Sequence, residues 1–251
     1  MSTNLEQSVE GAVPRALRVL ECLARAGEPM RLSDVARELE LQKSTVHRIL
    51  SSLAQCGYVE QVLKTGCYAV TLKLWELGTG TMHEHPIRRA AAGFLQELHR
   101  STGETVSLTI LSGDDVLYLD KIVSPRAIKF TTRVGSRAPA AVTASGKAML
   151  AHLPDAPARL KRTAARLKRT HRFDAESVLR ELENVRARGY SISSYVEGVT
   201  GFGAALLAGD GLPVAALSVT APNDRLSASK RKQVIERLLN ACASMSERVR
   251  F

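Results

Sequence analysis

This 251-residue sequence predicts an α+β fold in two parts. An N-terminal winged helix-turn-helix precedes a C-terminal domain built on an antiparallel sheet. Three observations carry that expectation. Short amphipathic helical segments and then a two-stranded ribbon follow one another within residues 12–77. The composition shifts at GTGTMHEHP, residues 78–86, which reads as a linker. From residue 87 to 251, strands bounded by Gly and Asp turns alternate with helical periodicities. Residues 1–11 read as a polar tail.

The first helix is expected to open at Pro14, whose fixed φ and missing N–H suit a first helical turn, with Leu17, Leu20 and Leu23 inward. Gly27 and Pro29 end it. The second helix is expected to start from an N-cap at Ser33. In the third, Val46, Ile49, Leu50 and Leu53 fall at i, i+3, i+4 and i+7, leaving Ser44, Thr45, His47, Arg48, Ser51 and Ser52 outward. YVEQV, the turn Lys64-Thr65-Gly66 and CYAVTL then read as the ribbon. In the second part a helix is expected from about Ile87 to Ser101, followed by a hairpin of VSLTIL and DVLYLDKIV and a further strand at IKFTTR. Helices are expected near Thr143, from an Asp174 N-cap to Gly189, and from about Ser227. YSISSYV, GFGAALLA and PVAALSVT complete the sheet.

An apolar stripe of that kind would fit any three-helix bundle, so the weight falls on the outward face of the third helix. It carries small hydroxyls, one His and one Arg, and no acid occurs from Leu41 to Val59. A helix entering the major groove needs short polar side chains for close approach and an Arg able to bridge a guanine edge. The overall balance, Lys+Arg 35 against Asp+Glu 25, net +10, favours an anionic partner. Residues 1–80 are nevertheless neutral, so all of the excess lies in residues 81–251. Part of it is the run Arg159 to Arg172, which contains the heptad repeat ARLKRTAARLKRT. That run reads as a solvated amphipathic helix or as an accessory contact to phosphates or to an acidic neighbouring subunit. Aromatic residues at 4% argue against single-stranded nucleic acid bound by stacked bases.

Other classes find little support. No apolar run approaches the roughly eighteen residues that span a bilayer, and MSTNLEQSVEGAVPRAL lacks the basic and apolar regions of a secretory signal. Four scattered cysteines without a C-x-x-C pair suit a reducing cytoplasm. Gly146-Lys147 lacks the remaining P-loop residues, and His83-x-His85 lacks companions for a metal, so no cofactor or metal is expected.

RALRVLECLARAGEPMRLSDVARELELQKSTVHRILSSLAQCGYVEQ resembles the N-terminal domain of the IclR family of bacterial transcription regulators. GSRAPAAVTASGKAMLA, RGYSISSYVEGV and PVAALSVTAP resemble that family's effector domain. The resemblance implies a winged-helix reader of double-stranded operator DNA, a linker helix and a GAF-like sensor of a small metabolite. It also implies a homodimer or a homotetramer made of two dimers, often acting on catabolic operons. Lys43, Ser44, Thr45, His47 and Arg48 become the candidate contacts of the recognition helix, with Arg15 on the first helix and Lys64 and Thr65 on the wing. Candidate effector contacts are the backbone at Ala144 and Ser145, where a helix N-terminus attracts a carboxylate, together with Ser193, Gly201, Ser218 and Thr220. Ser193, Ser194 and Tyr195 stand where the family loop is often acidic, which implies an organic acid different in shape from the smallest keto acids. Two other classes stay open on residues alone: an enzyme or carrier with an appended nucleic-acid module, and a non-specific architectural DNA binder.

Overall fold

The computed structural model describes residues 11–125, 132–167 and 173–248. The chain divides into two compact units, residues 1–82 and 83–251.

In the first unit, α1 (Ala12–Ala26), α2 (Leu32–Glu38) and α3 (Lys43–Gln55) precede a ribbon of β1 (Val59–Gln61) and β2 (Tyr68–Val70), and α4 (Lys73–His83) follows. Val19, Cys22 and Leu23 of α1, Val35 and Ala36 of α2, and Val46, Ile49 and Leu50 of α3 bury together against Val59 and Tyr68. Two helix starts differ from expectation. Pro14 is the third residue of α1, not its first; the first turn needs no intrahelical acceptor for its N–H groups, so Pro is tolerated there too. The N-cap of α2 is Arg31, not Ser33. Paired backbone bonds between Met30 and Tyr68 hold the chain extended up to that point, so the helix begins at once beyond it. Leu17, expected inward, is exposed because it lies about 200° around the helix from Val19. The Gly/Thr-rich stretch expected as linker is largely helical, since α4 runs through it to His83.

The second unit carries a six-stranded antiparallel sheet in the order β5-β4-β3-β8-β7-β6. Its strands are β3 (Thr105–Ser112), β4 (Asp115–Ile122), β5 (Arg137–Pro139), β6 (Ser191–Ser193), β7 (Val199–Leu207) and β8 (Pro213–Pro222). One face is apolar. The cross-strand rows Val106–Val219–Phe202 and Leu108–Leu217–Ala204 are fully buried beneath α5 (Pro86–Thr102) and α9 (Ala228–Arg248). The other face receives α6 (Ala144–Leu150), α7 (Ala156–Leu167) and α8 (Ala175–Arg188). Most of the expected strand IKFTTR lies outside the described residues, and β5 stands a few residues beyond it.

The basic run resolves into a specific contact. Along α7, Arg159 pairs with Asp155 at 3.0 Å, Arg162 makes a bidentate pair with Asp114 at 2.7 Å, and Arg166 holds Asp115. Asp114 and Asp115 sit at the β3–β4 turn, so a periodic row of arginines clasps the hairpin tip. These three arginines are already paired within the protomer, whereas Lys168, Arg169 and Arg172 lie outside the described residues. The Arg162 hydrogen bond, assisted by neighbouring arginine charges, holds the Asp114 carboxyl below its usual range against the opposing effect of burial. A carboxyl with a depressed folded pKa stabilises fully above its ordinary value of about 3.9, and that contribution disappears as pH falls through the lower folded value. Asp114→Asn should therefore lower the Tm by roughly 1–3 °C at neutral pH. The gap between variant and parent should narrow as pH falls through the lowered pKa of Asp114, as followed by circular dichroism melts across the acid range.

Candidate nucleic-acid interface and ligand cavity

The burial of Val46, Ile49 and Leu50 leaves Lys43, Ser44, His47 and Arg48 of α3 exposed and Thr45 half-buried. Their separation from the core follows from the helical period alone. Gln42 is the N-cap and makes no side-chain capping bond. Ser51 and Ser52 turn back on the helix, their hydroxyls donating to the carbonyls of His47 and Arg48 at 2.9 and 3.0 Å. The presented surface is thus the first two turns. On the wing, Lys64 and Thr65 are both exposed. The Val62 carbonyl accepts from the Thr65 and Gly66 N–H groups, and Gly66 takes a positive φ of 67°, which makes the tip tight. The Thr65 hydroxyl accepts from the Cys67 N–H at 3.3 Å and so braces the turn. Arg15 lies half-buried in the first turns of α1.

One residue that sequence reasoning missed is Lys73, the first residue of α4. Its ammonium donates to the Cys56 carbonyl at the end of α3 at 2.7 Å and lies 4.7 Å from the centre of the Tyr58 ring. A cation there answers both the unpaired carbonyls and the negative dipole end of the helix. Lys and Cys are seventeen residues apart with the whole wing between them, so no local pattern announces the contact.

In the second unit, small residues and hydroxyls on the α6 side of the sheet leave a cavity of about 310 Å³. Register explains its lining. One cross-strand row reads Lys121–Ser107–Ser218–Gly203–Ser191, and the next reads Thr105–Thr220–Gly201–Ser193. All six residues expected at the effector site, Ala144, Ser145, Ser193, Gly201, Ser218 and Thr220, line this one cavity. The α6 backbone comes close because two glycines permit it. A Cβ at Gly203 would lie 2.4 Å from the Ala144 carbonyl carbon, and one at Gly146 would lie 2.2 Å from the Ala140 oxygen. Thr143 caps the helix, its hydroxyl accepting from the Gly146 N–H at 3.1 Å. The Ser191 hydroxyl donates to the Ala144 carbonyl, and that of Ser193 donates to the Val142 carbonyl at 2.6 Å. Lys147, beside Gly146, is no phosphate ligand here: it is buried against Glu181 at 2.8 Å and the Ile192 carbonyl, tying α6 to α8 and β6.

The cavity also holds residues that sequence reasoning missed, notably Tyr118, Lys121, Thr132 and Arg137. Thr105 and Ser107 were recoverable only through the β3–β8 pairing, since they face Thr220 and Ser218. Tyr118 and Lys121 are three residues apart and should point to opposite faces. A bulge at Leu119, where the register slips between Leu108 and Thr109, inserts one residue and brings both to the same side. The Lys121 ammonium donates to the Thr132 carbonyl and hydroxyl at 2.9 and 3.0 Å. Burial pushes its pKa down, and burial pushes that of Tyr118 up, with a Thr132 hydrogen bond working the other way. The charged residues of the lining, Lys121 and Arg137, are both cationic, and no carboxylate lines the cavity among the described residues. Such a chamber can hold a small anion with an apolar body.

The family models decide the identity. That for the IclR helix-turn-helix domain matches residues 12–63, and that for the bacterial transcriptional regulator IclR C-terminal domain matches residues 79–247. The chain belongs to the IclR family of transcriptional regulators. The probable transcriptional regulator SauR of Cupriavidus necator is 32% identical over 222 residues, covering 86% of this chain and 88% of its own. Among solved structures, the IclR of Thermotoga maritima aligns with a TM-score of 0.73 at 25% identity, covering 95% of this chain and 98% of that one. An IclR homologue from Microbacterium hydrocarbonoxydans, complexed with 4-hydroxybenzoate, aligns with a TM-score of 0.78 at 25% identity, covering 94% and 98%. As an IclR regulator, the chain pairs a helix-turn-helix reader with an effector domain, in the α+β architecture expected. No helix among its described residues is long and apolar enough to cross a membrane.

The two close glycines of β7 give opposite expectations. Gly203→Ala forces a methyl group into backbone and should cost about 1–3 kcal/mol, seen as a Tm several degrees lower. A Cβ at Gly201 would meet Ala144 at an ordinary 3.4 Å, so Gly201→Ala should melt within roughly 2 °C of the parent while shrinking the cavity. Paired thermal melts check both.

Proposed function

We propose that this regulator reads a pseudo-palindromic operator through the first two turns of α3 and the wing, and that a small carboxylate in the α6 cavity tunes its affinity. The single observation that supports this reading best is the cavity: the lining is rich in hydroxyls, its charged members are cationic, and the first turn of α6 sits at its wall. The unsatisfied N–H groups at Ala144 and Ser145 would receive the carboxylate, with Ser193, Ser218 and Thr220 fixing its body and Gly201 leaving room for it. The homologue complexed with 4-hydroxybenzoate lends support for an organic acid, aromatic or aliphatic. On the DNA side, Lys43, Ser44, Thr45, His47 and Arg48 would meet the major groove, and Arg15, Lys64 and Thr65 the phosphates. The protein would act in the cytoplasm as a homodimer or a pair of dimers on a catabolic operon. Exposed apolar side chains of the first unit, among them Val13, Leu17 and Trp75, favour association of copies.

Footprinting on the gene's own upstream region should find a protected site with two half-sites related by a dyad. Arg48→Ala should weaken that site by roughly 10–100-fold and relax its base preference. Lys64→Gln should instead weaken all duplexes alike and reduce the salt slope by about one. Anisotropy titrations at several salt concentrations separate the two, and equal parental affinity for operator and random duplex would contradict operator reading. For the cavity, calorimetry with aromatic and aliphatic carboxylates should give binding that Ser145→Pro abolishes; silence across all acids would contradict the carboxylate reading.

A further inference from the structure

The positive charge of the lining counts toward the carboxylate reading, yet no contact assigned to the carboxylate falls on Lys121, which β3 and β8 separate from the strand that α6 rests on. Lys121 projects from β4, and Thr132 holds its ammonium through two acceptors; Arg137 of β5, paired with Leu117, is the other cation among the lining residues. An ammonium can donate three hydrogen bonds, so two to Thr132 leave one unused. Among the described residues, no carboxylate pairs with Lys121, and the adjacent Asp120 instead accepts an ion pair from Arg88 at 3.0 Å. Lys121 is half-buried, and a ligand anion placed on such a cation forms a charge-assisted hydrogen bond where water is partly excluded.

Sheet register sets the spacing. Lys121 and Gly203 belong to one cross-strand row and are separated by β3 and β8, three strand intervals or about 14 Å. The start of α6 rests on Gly203. A group held there and a group held by Lys121 are therefore at opposite ends of an extended molecule, not on neighbouring atoms. The cavity volume of about 310 Å³ matches the small end of ligand pockets, enough for such a body.

We infer that the effector is a dianion, a linear or para-substituted dicarboxylate whose second acidic group docks on Lys121. This rests on the carboxylate reading of the cavity and adds a second, separately testable subsite. Calorimetry on the full chain with matched pairs, adipate against hexanoate and terephthalate against benzoate, tests it. In at least one pair the diacid should bind ten-fold or more tightly than the monoacid. Lys121→Met should erase that preference while leaving monoacid affinity within about two-fold, which also shows that the variant is folded. Lys121→Arg should keep most of the preference. Equal binding of monoacid and diacid by the parent protein would overturn the dianion while leaving the carboxylate reading intact. So would a preference that survives Lys121→Met, or an equal loss of both ligands in that variant. Failure of every acid to bind would overturn both.

Discussion

Between β7 and the first turn of α6 there is no room for a Cβ. Gly203 lies where a methyl group would enter the Ala144 backbone, and Gly146 lies where one would enter the Ala140 carbonyl. That double contact brings a helix start down onto a sheet face that would otherwise need large apolar side chains to cover it. Because α6 sits this low at one end, the face beneath and beside it can be built of Ser, Thr and Gly, and the uncovered part becomes a chamber. Lys147, pinned to Glu181 and the Ile192 carbonyl, and Ser191, bonded to the Ala144 carbonyl, keep the helix there. The opposite face, under α5 and α9, bears the hydrophobic load through Val106, Leu108, Phe202, Leu217 and Val219. One side of the sheet stabilises, and the other is free to be polar.

Charge is distributed by the same division of labour. The reading unit is neutral overall, and its positive groups are placed singly: Lys43 and Arg48 on α3, Lys64 at the wing tip, Lys73 at the end of α3. The net +10 of the chain belongs to the second unit. There, Arg159, Arg162 and Arg166 are spent on the β3–β4 hairpin tip, an arrangement that shapes the effector domain. Global basicity is therefore a poor guide to which surface meets DNA in this protein, and local geometry is a better one.

What the sequence makes legible follows its periodicities. The stripe of Val46, Ile49 and Leu50 announces α3 and, by subtraction, its outward residues. Asp174 and Gly189 mark both ends of α8, because side-chain capping and a positive φ are properties of single residues. Ser33 misled because a tertiary bridge from Met30 to Tyr68, invisible in local pattern, moved the helix start to Arg31. Gly78 and Gly80 lie within α4, the linker helix that the resemblance implied, since glycine raises the cost of a helix by only about 1 kcal/mol each and does not forbid one. In the cavity, Ser218 and Thr220 are readable by resemblance, yet Thr105 and Ser107 need strand pairing, and Lys121 needs a bulge that reverses the parity of β4. Non-local register carries that information, and no window of sequence contains it.

The two units are of use to each other only if occupancy of the chamber changes the affinity of the reading head, which requires the ligand to bind two states of the protein unequally. The most direct measurement is the Kd of the footprinted operator for the full chain, taken with the chamber empty and then saturated with a carboxylate shown by calorimetry to bind it. A shift of about five-fold or more is predicted, matched by an equal shift in carboxylate affinity when operator is present. An operator Kd that stays the same at saturation would contradict the coupling, however tightly each ligand binds alone.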